Sequence, residues 1–232
     1  MAGTYQAGDR TKSEILEGSK KLFYKKGYTD TTYNDISELL GINRALIPYH
    51  FKSKQTLALT VYNEIIDHVA ARADELLDTA SMSDDLSAAF HLIIFYRLFV
   101  SKQFTNLVCQ LLKENSELLI DSDAEKAFLI KLSDSYSNKS IENDLSISSM
   151  NNIRFSLIKM IKDNNYSSEN AANKKSNLSS SDIYAKTYIN YALRYVGTAD
   201  DTINELFNAA VQLANLIDVE IRPDFKVIVS YK

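Results

Sequence analysis

The sequence predicts an all-α protein, and three observations carry that prediction. Glycine and proline are scarce, six and two in 232 residues, and no glycine occurs between Gly41 and Gly197. Sheets need turns, and turns draw on those two residues. Apolar residues recur at three- and four-residue intervals through most of the chain. Capping residues and stop glycines fall between the periodic segments.

The first helix starts near Lys12, with Ile15, Leu16, Ser19, Leu22 and Phe23 at helical spacing and Gly27 as its stop. Thr32-Tyr33-Asn34-Asp35 has the form of a capping box and opens a second helix through Ile36, Leu39 and Leu40. Gly41 ends it where a left-handed residue is needed, and Asn43 is placed to cap a third, short helix. Two helices joined by Gly41-Ile42-Asn43 make a helix-turn-helix unit.

Pro48 lacks the N–H that would bond the Arg44 carbonyl, so the third helix must be short or distorted at its carboxyl end, with proline as its terminator. Ser53 caps a fourth helix of about 25 residues, running through Leu57, Val61, Ile65, Val69, Ala73 and Leu76. Further helices are expected at 84–101, 104–118, 123–137, 145–162, 182–196 and 200–219. The polar stretch 164–181 reads as a loop. The expected organisation is an amino-terminal three-helix domain over 1–55, and a helical domain over 56–232 joined to it by the long helix.

The net charge of −4 is unevenly placed. Residues 1–55 hold nine cations against six acids, a balance of +3 that leaves −7 on the remainder. A basic end on an acidic body suits a polyanionic partner at that end. A single cysteine, Cys109, rules out an internal disulfide and fits a reducing compartment. The amino terminus lacks the apolar run of an export signal, and the longest apolar stretch, FHLIIFYRLFV, is too short to cross a bilayer. A soluble cytoplasmic protein with no membrane partner is expected. With three scattered histidines, no glycine-rich phosphate loop and no metal-ligand spacing, no enzyme class is indicated; no cofactor or metal is expected.

In a helix-turn-helix, the second helix enters the major groove and its first residues reach base edges. Here those are Asn43, Arg44 and Ala45. Arginine suits guanine O6 and N7, alanine a thymine methyl, and asparagine an adenine. Tyr49 and His50 stand behind them at phosphate height. Lys52 and Lys54 begin the next helix, where free N–H groups already favour an anion. Thr31 and Thr32 are placed to do likewise at the mouth of the second helix. These contacts fix position, while the base-edge group discriminates.

Segment 10–57 resembles the amino-terminal domain of the TetR family of transcriptional regulators. The matching residues are Leu22-Phe23, Gly27-Tyr28, Thr31-Thr32, Asp35-Ile36-Ser37, Leu40-Gly41-Ile42, Tyr49-His50-Phe51, Lys54 and Leu57. The resemblance implies a homodimer, a palindromic double-stranded DNA operator, and a helical carboxyl-terminal domain that binds a small effector. Two positions depart from the pattern: Ala45 stands where glycine is frequent, and Pro48 where a phosphate-contacting tyrosine often stands.

In the body, Tyr184, Tyr188, Tyr191 and Tyr195 form one stripe, with Ala185, Ile189, Ala192 and Val196 beside it. A helix apolar on two sides must bury both. With Leu206, Ala210, Leu213, Ala214 and Ile217 of the final helix, the tyrosines are expected to form a four-helix dimer interface; the alternative is that both stripes face a single thick core. The helix at 86–100 is apolar nearly all round. Its Phe90, His91, Phe95, Tyr96 and Phe99 are candidate effector-lining residues, with Arg97 as an anchor for an acidic ligand. The expected function is a dimeric transcriptional regulator, a repressor released by an unknown small-molecule effector. The alternative is a DNA-bound scaffold or regulator controlled by a protein partner.

Overall fold

The computed structural model describes residues 2–114, 123–136, 144–167 and 179–232. These contain ten helices: α1 (Ala2–Lys26), α2 (Tyr33–Leu40), α3 (Leu46–Phe51), α4 (Lys54–Leu77), α5 (Asp84–Leu98), α6 (Lys102–Glu114), α7 (Asp123–Asp134), α8 (Asp144–Ser167), α9 (Ser180–Tyr195) and α10 (Asp200–Ala214). An antiparallel hairpin follows, β1 (Ile217–Arg222) with β2 (Lys226–Tyr231). The helical fold class holds, and the hairpin is an addition to it. Of the expected loop 164–181, residues 164–167 end α8 and 180–181 open α9; the remainder, apart from the cap Ser179, lies outside the described residues, as do residues 115–118 of the expected 104–118 helix.

The first four helices form for local reasons. α1 turns Ile15, Ser19 and Phe23 inward, and Gly27 ends it at φ 86°. Thr32 and Asp35 do form a capping box: the threonine Oγ1 accepts the Asp35 N–H at 3.2 Å and the Asp35 carboxylate accepts the Thr32 N–H at 2.6 Å. Gly41 takes the left-handed conformation at φ 65°, which is open to glycine without a side-chain clash. Ser53 caps α4 by accepting the Thr56 N–H at 3.0 Å.

Pro48 is not the terminator of α3. The helix begins at Leu46, so the proline falls in its first turn, where an N–H has no helical partner to lose. The Arg44 carbonyl is taken up by the Ile47 N–H at 3.2 Å. What stops the helix is Lys52, at φ 58° and ψ −50°. Asn43 acts two residues ahead of the cap position Ala45, its Oδ1 accepting the Ala45 N–H at 2.9 Å.

α5 is the axis of the body. It is buried on every side from Ser87 to Tyr96, against α4, α7, α9, α10 and β1. The final helix stops at Ala214, not 219. IDVEIR alternates inward Ile217, Val219 and Ile221 with outward Asp218, Glu220 and Arg222, which is strand periodicity. The return strand KVIVSY is β-branched. Its turn, opened by Pro223, uses no glycine: Asp224 and Phe225 take φ 63° and 57°. Such backbone costs about 1–3 kcal/mol per residue and persists only where surroundings impose it.

Candidate nucleic-acid interface

The exposed part of α3 and the start of α2 face each other across an open groove of about 590 Å³. Thr32, Tyr33, Asn34, Asn43, Arg44, Ala45 and Pro48 line it. Arg44 is exposed and its guanidinium donates to Asn34 Oδ1 at 3.1 Å, a contact between neutral and charged groups in water that a better acceptor can replace. Tyr49 is 79% exposed, and its ring meets His50 edge-on at 5.0 Å. Ile47 and Phe51, on the opposite side of α3, are buried and hold this helix to the core. Lys52 is exposed at the corner where α3 gives way to α4. The groove and corner thus gather Thr32, Asn43, Arg44, Ala45, Tyr49, His50 and Lys52 on the outer surface of the amino-terminal helices.

Two expected contacts are turned the other way. Thr31 is 0% exposed, and its hydroxyl donates to the Gly27 carbonyl at 2.6 Å. Lys54 directs its ammonium at the carbonyls of Tyr28, Thr29 and Thr31, at 3.0, 3.3 and 3.0 Å, and lies 4.4 Å over the Tyr28 ring. Three convergent carbonyls outcompete solvent for that cation, so it fastens the α1–α2 loop to α4 and leaves no ammonium for a phosphate. Thr32 is exposed, but its N–H and hydroxyl both donate to Asp35. Hydrogen bonds from Lys26 first, then Thr32, hold the Asp35 carboxyl at about 2, below its ordinary 3.8. Sequence reasoning missed Tyr33 and Asn34 in the groove; the helix-turn-helix geometry, which sets the mouth of one helix beside the next, was the available signal.

The amino-terminal helices are tied to the body at the α1–α2 loop. Gln110 of α6 accepts the Tyr28 and Thr29 N–H groups at 2.8 and 3.2 Å, and the Tyr28 hydroxyl donates to Glu114. A Cβ on Gly27 would sit 3.3 Å from the Gln110 amide, a tight approach, but it is the φ of 86° that calls for glycine here.

The expected effector residues are core. Phe90, His91, Phe95, Tyr96 and Phe99 are all buried, and they pack on one another and on Phe128, Tyr188 and Phe104. His91 stacks on Phe128 at 4.1 Å, its Nδ1 contacts the Ser87 carbonyl at 2.7 Å, and Asp74 lies 3.1 Å from Nε2. Burial, the largest influence, pushes the imidazole below its ordinary pKa. Arg97 is not a free anchor: it binds Asp182 through Nε at 2.8 Å and Nη2 at 3.1 Å, Asn215 Oδ1 at 2.8 Å, and the Ala214 carbonyl. It clamps the start of α9 and the end of α10 to α5.

Most of the expected dimer-interface residues are likewise packed inside the chain. Tyr184, Tyr188, Leu206, Ala210, Ala214 and Ile217 are buried within the chain, and Ile217 sits in β1. Both stripes of α9 do face one thick core over that stretch. Tyr191 and Tyr195 remain outward, at 37% and 57% exposure, with Ile183 at 47%, while Leu213 is half-buried.

The family model for bacterial regulatory proteins of the tetR family matches residues 15–61, the segment that builds this groove. Segment 15–61 is of the TetR family. Among its TetR relatives, the probable transcriptional regulator ArpR of Pseudomonas putida is 30% identical over 132 residues, 51% of this chain and 63% of ArpR. The regulator TtgR, also of Pseudomonas putida, is 38% identical over 78 residues, 32% of this chain and 37% of TtgR. The chain therefore spans less than two thirds of the length of these curated relatives. The fold continues further: the structure of RolR in complex with resorcinol superposes with a TM-score of 0.62, covering 88% of this chain and 95% of RolR at 15% identity. Among the described residues, no helix is long and apolar enough to cross a membrane.

Proposed function

We propose that this chain is a dimeric DNA-binding transcriptional regulator, a repressor that leaves a palindromic operator when a small molecule binds its body. The observation that carries the reading is the outward Arg44 at the start of α3, flanked by exposed Tyr49 and Lys52. The arginine reads a guanine edge from the major groove, while Tyr49, His50 and Lys52 hold the phosphates. Asn43 and Ala45 complete the base-facing turn. Dimerisation uses the outward face of α9, through Ile183, Tyr191 and Tyr195, and sets two α3 helices about 34–36 Å apart or a multiple of that spacing. The effector site belongs to the body around α5. RolR, which shares the fold, was solved with resorcinol bound, and this supports a small-molecule effector over a protein partner.

A gel-shift titration with fragments flanking the coding sequence tests the proposal. A salt-sensitive complex is expected, weakened about 10³–10⁵-fold between 50 and 200 mM salt for roughly 6–10 phosphate contacts. Absence of any such complex at low salt would sink it.

A further inference from the structure

The hairpin is anchored at both ends, and the two anchors belong to different parts of the molecule. At its root, Ile217 and Val229 are buried in the body, and the Tyr231 hydroxyl donates to the Leu76 carbonyl at the far end of α4. At its tip, Phe225 is 3% exposed and its ring meets Tyr24 of α1 edge-on at 5.3 Å. Hairpin tips ordinarily project into solvent; this one is pressed into the amino-terminal helices, with two consecutive left-handed residues that bring the phenyl ring round. Beside it, Lys20 of α1 is held between Glu17 at 2.7 Å and Glu64 of α4 at 2.5 Å. Burial acts to lower that ammonium's pKa, but the two carboxylates outweigh it and raise it. Beside the seated Phe225 an open groove of about 500 Å³ runs between the hairpin and the α1–α4 surface, with Glu17, Lys20, Glu64 and His68 on one wall and Arg222 and Lys226 on the other.

We infer that the hairpin is a strut that sets the angle of the amino-terminal helices on the body, with Phe225 and Tyr24 as positioning residues for Arg44. A strand of six residues spans about 20 Å, enough to carry a fixed distance from the body to α1. The path from tip to reading head is short: Phe225 holds Tyr24, α1 packs on α2 and α3, and α3 carries Arg44. The strut acts in addition to the Gln110 tie, from the opposite end of the chain. This inference rests on the DNA-binding reading for its consequence, but its geometry can be tested without DNA.

The test compares F225A, Y24A and F225L with the parent chain, all in a C109S background. Spin labels at E38C on α2 and K159C on α8, diluted with unlabelled chain, report the distance between the two parts. The parent should give one narrow distribution; F225A and Y24A should each broaden or shift it, and F225L should restore it. Operators with half-sites moved apart by single base pairs then read the consequence: the parent should prefer one spacing, and F225A should lose that preference. An unchanged distance distribution in F225A and Y24A overturns the inference, even if both variants melt earlier. If no DNA is bound by the parent, the regulator reading fails while the distance result still decides the strut.

Discussion

Removing the Arg97 guanidinium should destabilise the body more than any substitution on the proposed DNA-facing surface. Asp182 has a side chain only 4% exposed, and Arg97 is 15% exposed; two of the arginine's nitrogens meet the carboxylate. Once Arg97→Met is made, the carboxylate keeps only the cap bond from the Ser179 N–H at 3.3 Å among these partners. The Ala214 carbonyl and the Asn215 amide lose their donor as well. Breaking a buried pair from one side costs about 3–5 kcal/mol, because a desolvated charge is left behind. At about 2–4 °C per kcal/mol for a chain of this size, Tm should fall by roughly 6–20 °C at fixed protein concentration. The double variant Arg97→Met with Asp182→Asn should recover most of that loss, since replacing both partners removes the stranded charge. Thermal melting by circular dichroism measures all three chains. A loss below about 1 kcal/mol in the single variant would place the pair with ordinary surface bridges and refute the clamp. Failure of the double variant to recover would shift the cost to the Ala214 and Asn215 contacts.

The remaining predictions concern the amino-terminal domain. Arg44→Ala should weaken operator binding by about 1–3 kcal/mol and relax one base pair per half-site, with Tm unchanged, as competition gel shifts would show. Lys52→Ala should weaken binding to all sequences alike and reduce the salt slope by about one. Lys54→Met should do the reverse: the salt slope stays, while the fold loses about 1.5–3 kcal/mol as three carbonyls lose a charged donor. An unchanged Tm with a lowered slope would return Lys54 to the phosphates. Asp35 titrates near 2 in the fold against an ordinary 3.8, and a depressed carboxylate stabilises above its unfolded value. Its contribution should therefore be level near neutrality and drain away from about pH 4 down to pH 2. Lys26→Met, which removes the ammonium 2.8 Å from Asp35, should flatten that part of a stability-versus-pH curve.

What could be read from the sequence was local. Thr32 with Asp35, Gly41 and Ser53 act within three or four residues of themselves, and each cap formed as its spacing indicated. Arg44 and Tyr49 face outward because Ile47 and Phe51 take the buried side of the same short helix. The failures at Lys54 and Arg97 have a different cause, partners distant in sequence. Lys54 and Thr31 have the right chemistry for a phosphate, yet carbonyls of a loop more than twenty residues earlier claim the lysine. Arg97 looks like a ligand anchor in sequence because its partners, Asp182 and Asn215, lie 85 and 118 residues away. Tyr184 and Tyr191 share a stripe on paper, but the helix surface each one covers is decided by what packs there. The hairpin turn carries a signal in Pro223-Asp224, but it lacks the glycine that usually marks such backbone, since Asp224 and Phe225 themselves take the left-handed conformation.

α4 is a single uninterrupted rod from Lys54 to Leu77. At 1.5 Å per residue its 24 residues measure about 36 Å. Tilting such a lever by about 5° at its distal end carries the opposite end through roughly 3 Å, close to the rise between neighbouring base pairs. On the DNA-binding reading proposed above, a disturbance too slight to unpack any core side chain would be magnified into a whole-step misregistration along the duplex.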